Sequence, residues 1–404
     1  MTTGDGRAVK LWEPSAESIE ASNLTAYMHW LEAERGLALD GDYDALWRWS
    51  VDQLEDFWSS IWDYFVVRAS QPYAAVLTGR EMPGAGWFAG ARLNYAENLL
   101  RDKPDDRVAV LAASELRSLD SLTWGELRER VARAAAALRG LGVEPGDRVV
   151  AYMPNVPETL IAFLASASIG AIWSSCSPDF GAGSVIDRFA QIEPKVLLCV
   201  DGYRYNGRDF DRTEVVAGLQ AEMPTLEHTV VLPYLRPDPD LAALSGPAIT
   251  WAELLAAGEG GALRFEQVPF DHPLWVLYSS GTTGLPKAIV QGHGGILVEQ
   301  LKKLHLHVDA QEGDRVFWFT TTGWMMWNFL VGALLTEAAI VLYDGSPGHP
   351  DMGVLWDLAD RAGITCFGTS ASYIAACMNA GVEPGAGREL GALRSIGSTG
   401  SPLA

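Results

Sequence analysis

From Asp106 onward, short β-branched runs alternate with amphipathic segments of helical length, and this alternation restricts the chain more than any other feature. Strands that succeed one another through helices run parallel and are covered on both faces, so the expected class is α/β, with mostly parallel sheets flanked by helices. A helix is expected to open at Thr123. There Thr123-x-x-Glu126 reads as a capping box, and Leu127, Val131, Ala134, Leu138 and Leu141 recur at helical spacing. Gly142 stops this helix, Pro145-Gly146 turns the chain into a strand from Arg148 to Met153, and a second helix runs from Pro157 to Gly170. Further strands are predicted from Lys195 to Val200, His228 to Leu232, Leu274 to Tyr278, Arg315 to Thr320, Ala339 to Tyr343 and Ile364 to Phe367. Helices are expected to fill most of the gaps.

The first ninety residues have a different texture. Trp12, Trp30, Trp47, Trp49, Trp58, Trp62 and Trp87 fall there among acidic residues. Trp47, Leu54, Trp58, Ile61, Trp62 and Phe65 approximate helical spacing, which predicts a helical extension with an aromatic docking face. The expected division is residues 1–100 as this extension and residues 101–404 as one large α/β domain.

With 404 residues the chain can bury a large core. A formal net charge of −21 sets its surface field against phosphodiester backbones and anionic lipid, so neither nucleic acid nor membrane is an expected partner. Any polyanionic ligand must be met by local cations. The four cysteines, Cys176, Cys199, Cys366 and Cys377, form no CxxC pair and accompany no His cluster at metal spacing. Neither a disulfide framework nor a metal site is expected. The N-terminus has no apolar signal core, and the most apolar run, Leu160 to Ile172, is too short to span a bilayer. A cytoplasmic protein with reduced thiols is the expectation.

The string carrying most chemistry is Tyr278-Ser279-Ser280-Gly281-Thr282-Thr283-Gly284-Leu285-Pro286-Lys287, which follows an apolar strand. Gly281 and Gly284 allow close backbone approach. The hydroxyls of Ser279, Ser280, Thr282 and Thr283 donate without bulk, and Lys287 brings a positive charge to phosphate oxygens. It reads as a phosphate-cradling loop. The GxxxxGK[ST] spacing of the P-loop is absent, which weighs against an NTPase or phosphotransferase.

This string resembles the phosphate loop of the adenylate-forming acyl-CoA synthetases, with Ala288 where that family usually has glycine. Gln291-Gly292-His293-Gly294-Gly295 and the stretch Trp87 to Leu100 are similar to the acetoacetyl-CoA synthetase branch of that family. The Trp-rich beginning resembles the extension preceding acetyl- and acetoacetyl-CoA synthetase cores. The resemblance implies an AMP-binding adenylation domain in which Lys287 and Thr282 are catalytic. Trp324, Met325 and Met326 would line an acyl pocket. Gly400, Ser401 and Pro402 would hold adenine, with Ser401 standing where the family usually has glutamate. Thr399 would donate to the ketone of a short 3-oxoacid, and Arg204 and Arg208 would meet CoA phosphates.

The activity so implied is that of an acetoacetate–CoA ligase, an AMP-forming acid–thiol ligase. ATP adenylates acetoacetate, and CoA then displaces AMP. The partners are small molecules: ATP, acetoacetate and CoA, with Mg²⁺ as cofactor. Two alternatives stand beside it, a synthetase for another short acid such as acetate or propionate, and a non-catalytic nucleotide-binding subunit needing a partner. The chain ends just after the adenine loop, whereas the family continues. A fragment that binds nucleotide weakly and does not turn over alone is therefore expected, with the Mg²⁺ ligand beyond residue 404. Oligomeric state is left open.

Overall fold

The structure, a computed structural model, describes residues 12–279 and 284–402. After the extension the chain lays down β1 (Val108–Ser114), β2 (Asp120–Thr123), β3 (Arg148–Tyr152), β4 (Ile172–Cys176) and β5 (Val196–Val200). A small hairpin follows, β6 (Gly202–Tyr205) and β7 (Arg208–Asp211), then β8 (His228–Leu232), β9 (Ala248–Thr250), β10 (Pro273–Ser279) and β11 (Lys287–Gly292). The last strands are β12 (Arg315–Trp318), β13 (Ala339–Asp344), β14 (Cys366–Ser370) and β15 (Ser395–Thr399).

Two large sheets result, in the orders β9-β8-β5-β3-β4-β10-β11 and β15-β14-β12-β13-β1-β2. Each is parallel except for one antiparallel edge strand, β11 in the first and β2 in the second. The expected α/β class is what the chain adopts. The capping box at Thr123 and Glu126 is present and opens the helix Trp124–Gly140. Pro157 and Gly170 bound the next helix as expected.

That helix, Pro157–Ile169, is buried continuously from Thr159 onward. Helices that are apolar all round belong inside, and this one fills the space where the main elements converge. The Phe163 ring lies 5.6–5.9 Å from those of Tyr95, Trp173, Trp275 and Trp327. Among the described residues no helix is long and apolar enough to cross a membrane. All four cysteines are free and buried: Cys176 ends β4, Cys199 lies in β5, Cys366 opens β14, and Cys377 lies in the helix Ala371–Asn379.

The extension departs from one continuous aromatic stripe. A break at Gln53 separates the helices Tyr43–Asp52 and Leu54–Tyr64 and resets their phase, so Trp47 stays exposed while Ile61 and Trp62 are buried. Trp62 stacks on Phe88 at 4.9 Å. After Tyr64 the extension continues in short strands, Ala69–Gln71, Ala75–Thr78, Gly86–Ala89 and Arg92–Leu93.

The two sequence signatures around Tyr95 and His293 meet each other. The Tyr95 N–H donates to His293 Nδ1 (3.2 Å) and the Tyr95 hydroxyl to Gln300 Oε1 (2.7 Å). Asn94 caps the helix Tyr95–Leu100 while its Nδ2 donates to the Ala167 and Glu266 carbonyls (both 2.8 Å). These residues sew the extension to the core. The adjacent glycines of the second signature differ in role. A Cβ on Gly294 would run into the Phe270 ring, whereas one on Gly295 meets nothing within 4 Å. We expect Gly294→Ala to cost about 2–3 kcal/mol by overpacking. Gly295→Ala, inside the helix His293–Leu301, should stabilise by about 0.5–1 kcal/mol. Urea denaturation of the two variants measures both.

Candidate functional site

Ligands of open parallel sheets bind beyond the carboxyl ends of the strands, and in this chain the carboxyl ends of the two sheets face each other. Thr322, just past β12, donates to the carbonyl of Met153 past β3 (2.7 Å), and Ser175 of β4 donates back to the Thr322 carbonyl (2.8 Å). Buried Asn155 spans the same seam. Its Nδ2 donates weakly to the carbonyls of Thr320 (3.4 Å) and Tyr343 (3.5 Å), and its Oδ1 accepts from Trp327 Nε1 (3.0 Å). These bonds hold the carboxyl ends of the two sheets against each other.

On the seven-stranded side, β10 and β11 form a hairpin in which Ser279 pairs with Lys287. Helices were expected to fill most gaps between strands, yet the phosphate-loop string turns back into strand β11 at the sheet edge. Ser280, Gly281, Thr282 and Thr283 lie outside the described residues. Lys287 is exposed, as is Gly284. The base of the hairpin is fastened from the helix Ala182–Phe189 and the turn after it. The Tyr278 hydroxyl donates to the Arg188 carbonyl (2.7 Å), and Gln191 Nε2 donates to the Pro286 carbonyl (3.0 Å). The Arg188 guanidinium lies 5.2 Å from the Phe180 ring and 6.0 Å from that of Tyr278. Phe180 and Arg188 support the base of the hairpin and escaped the sequence reading, since the Arg188–Tyr278 contact spans about ninety residues.

On the six-stranded side, the turn after β12 opens the helix Met325–Gly332 with Trp324 as its N-cap. Trp324 is 62% and Met325 53% exposed, which excludes a core role for both. Met326 is half-buried and packs on the main core. Thr399 ends edge strand β15 and is exposed. Gly400 follows in the left-handed region (φ +92), and Ser401 and Pro402 are exposed. The Trp318 ring lies across Gly368, its register partner in β14, and Gly397, the partner of Gly368 in β15. A Cβ at Gly397 would come within 2.6 Å of that ring. Three hydroxyls near these strand ends, Thr321, Thr369 and Ser398, are buried without a partner among the described residues. Such groups are uncommon and concentrate where structure serves something besides its own packing.

Arg204 and Arg208 lie on the β6–β7 hairpin, whose Asn206-Gly207 tip has φ +55 and +72, the mirror-image turn that suits the strand twist. The register pairs Arg204 with Asp209 and Arg208 with Tyr205, which puts the two arginines on opposite faces of the hairpin. They do not act as one basic pair. Arg204 Nε and a terminal nitrogen contact the two Asp209 oxygens at 2.6 and 3.1 Å. Arg204 lines a cleft of about 730 Å³ with Arg117, Arg361 and His349, alongside the carboxylates Glu115 and Asp357.

Two of the groups that titrate away from their ordinary ranges lie near these elements. Burial pushes the Asp344 carboxyl, at the end of β13, up to about 7, although the Tyr234 hydroxyl donates to it (2.8 Å). Complete burial drives the His293 ring down to about 3, with His272 nearby adding to the effect. Among the described residues no group of three or more His, Cys, Asp or Glu is arranged to hold a metal ion.

The family profile described as AMP-binding enzyme matches residues 97–404, and that described as acetyl-coenzyme A synthetase N-terminus matches residues 43–99. An acetoacetyl-coenzyme A synthetase from Rhizobium meliloti (strain 1021) is 44% identical over 394 residues, covering 97% of this chain and 60% of the relative. A malonamoyl-CoA synthetase from Penicillium aethiopicum is 38% identical over 420 residues, covering 98% and 58%. The solved structure of an acetoacetyl-CoA synthetase from Streptomyces lividans superposes with a TM-score of 0.93 at 52% identity, over 98% of this chain and 60% of that one. The chain thus spans about 60% of the length of relatives it matches.

Proposed function

The chain belongs to the AMP-binding enzyme family, and from that premise we propose that it supplies the adenylating part of an AMP-forming acetoacetate–CoA ligase. The observation supporting this reading is the seam where the carboxyl ends of the two sheets meet, with the β10–β11 hairpin in one sheet and solvent-exposed Trp324, Met325 and Thr399 beside strand ends of the other. An exposed indole and thioether suit a small apolar acyl group. The acids named by two relatives, acetoacetate and malonamate, share a carbonyl at position 3. A hydroxyl such as that of Thr399 is the donor this carbonyl requires.

In the first half-reaction the acid's carboxylate attacks the α-phosphorus of ATP, a phosphate–oxygen bond breaks, and pyrophosphate leaves. In the second, the CoA thiolate displaces AMP from the acyl-adenylate. The carboxylate is already a nucleophile, so the side chains position reactants and neutralise charge. That work falls to the loop of Ser279, Ser280, Gly281, Thr282, Thr283 and Gly284, with Lys287 and Thr282 as catalytic groups. Adenine is assigned to Gly400, Ser401 and Pro402, and the acyl group to Trp324, Met325, Met326 and Thr399. CoA phosphates are assigned to Arg204 and Arg208. Mg²⁺ would accompany the ATP phosphates, and the described residues offer no cluster of His, Cys, Asp or Glu to hold it. We assign the division between extension and domain to about residue 100, where the two family matches meet. A cytoplasmic setting accords with the four free thiols.

AMP and pyrophosphate release by the full-length gene product on a panel of acetoacetate, butyrate, acetate and propionate, with CoA present or absent, tests the reading. Acetoacetate should exceed butyrate, which lacks only the 3-oxo group. Release of ADP, or equal use of butyrate, overturns it. Lys287→Met should weaken ATP binding about ten- to a hundredfold, the range for a hydrogen bond to a charged group. Titration calorimetry with ATP measures this.

A further inference from the structure

Glu115, immediately after β1, has a carboxylate that accepts three backbone N–H groups from two separate parts of the chain. Oε1 accepts from Asn206 (2.8 Å) and Ser346 (2.7 Å), and Oε2 accepts from Gly207 (2.7 Å). Asn206 and Gly207 are the tip of the β6–β7 hairpin, inserted between strands of the seven-stranded sheet. Ser346 follows β13 of the six-stranded sheet. The Glu115 N–H also donates to the Asp344 carbonyl (3.1 Å). One carboxylate therefore ties a protruding hairpin to the opposite sheet.

The surroundings are shaped for this arrangement. A Cβ at Gly345 would fall 2.9 Å from Glu115 Cγ, and one at Gly207 would fall 2.8 Å from the His349 ring. Both positions leave room only for glycine while the carboxylate and imidazole stay in place. Beyond the tip, the bidentate contact with Asp209 fixes the Arg204 guanidinium against the hairpin, and Arg204 faces the cleft shared with Arg117, His349 and Arg361. A two-stranded hairpin is marginal on its own. Without an anchor at its tip, the guanidinium has no fixed place relative to the six-stranded sheet.

We propose that Glu115 is a positioning residue, which by capping the Asn206–Gly207 tip and Ser346 holds Arg204 in place for a phosphate group of CoA. The inference rests on the CoA assignment above. Glu115 touches no substrate and acts through the hairpin. Its two oxygens serve as acceptors only, so Glu115→Gln, which turns one of them into a donor, opposes a backbone N–H while keeping the shape.

The test uses the wild-type chain, Glu115→Gln and Glu115→Ala. It combines amide hydrogen exchange at Asn206, Gly207 and Ser346 with calorimetric titration of CoA, 3′-dephospho-CoA and ATP. In both variants the three amides should lose protection. CoA affinity should fall about tenfold, the equivalent of one charge-assisted contact. Dephospho-CoA and ATP affinities should stay within about twofold, so the wild-type preference for CoA over its dephospho form disappears. A merely structural role would weaken all three ligands together, and that result overturns the proposal. So does full protection of the amides in both variants, or lost protection with CoA affinity unchanged. Should the wild-type chain bind no CoA, the functional reading fails, and the exchange data alone then decide whether Glu115 is the clamp. Glu115→Gln keeps the test open should Glu115→Ala fail to fold.

Discussion

Acidification from pH 6.5 to 4 is expected to move two single variants in opposite directions relative to the wild type. His293 is fully buried. Its Nδ1 accepts the Tyr95 N–H, so the proton of the neutral ring sits on Nε2, which has no partner among the described residues. The folded ring titrates near 3 against an ordinary 6.5, so below 6.5 the unfolded chain takes up a proton that the folded chain refuses. Wild-type stability from this group is therefore lost as the pH falls, by about 3 kcal/mol at pH 4. Asp344 does the reverse. Its carboxyl titrates near 7 in the folded chain against an ordinary 3.8, so the folded chain binds the proton first, and acidification stabilises it by about 3 kcal/mol over the same interval. His293→Gln should thus gain on the wild type as the pH falls, and Asp344→Asn should lose ground. Urea midpoints at pH 6.5, 5.5 and 4 measure this, and three parallel curves would refute it.

Gly368→Ala should destabilise the chain by about 3 kcal/mol, the upper part of the range for overpacking. The Trp318 indole is nearly buried, is edge-on to Phe329 at 5.3 Å, and covers its register partner Gly368 and, beyond it, Gly397. A Cβ at Gly368 would come within 2.1 Å of the Trp318 ring, which is itself buried. Gly391→Ala, where a Cβ meets nothing within 4 Å, serves as the control and should stay within about 0.5 kcal/mol. Trp318→Leu in the Gly368→Ala background should recover part of the loss, because the two positions share one volume.

Many local signals disclosed the fold, although the interior strands β1 and β4 were not among the strands expected. The Thr123 capping box, the helix from Pro157 to Gly170 and the apolar strands β3, β5, β8, β10 and β13 carry their periodicity and punctuation within a dozen residues. Strand β14 lies two residues later than expected, because Ile364 belongs to the turn after the preceding helix. Edge strands β2, β11 and β15 were hidden for a different reason. With one side unpaired and residues such as Val290 and Ile396 exposed, they lack the alternation that marks a half-buried strand. The Asn206-Gly207 turn was readable by its residue types but was masked by the arginines flanking it.

The site was legible as motifs and not as geometry. Trp324 and Met325 form an apolar cluster in the sequence, and only the structure shows that both are exposed and outside the core. The resemblance that suggested Arg204 and Arg208 as a pair gave no hint of the pleat, which sends adjacent register positions to opposite faces. Asn155, Ser175 and Thr322 set the seam through contacts about 150 or more residues apart, a separation at which sequence carries no trace.

The four buried thiols give the molecule an internal chronometer. Burial drives the Cys176 thiol up to about 12 and holds Cys199 higher still, so neither supplies thiolate to a reagent while its strand is closed. Cys366 and Cys377 sit in the other sheet and in the helix that follows its strand β14. A pulse of alkylating reagent, followed by peptide mass analysis, would therefore date the opening of each sheet separately in the unmodified chain. Ligand at the seam would slow both clocks at once if the two sheets open together, and only one if they part.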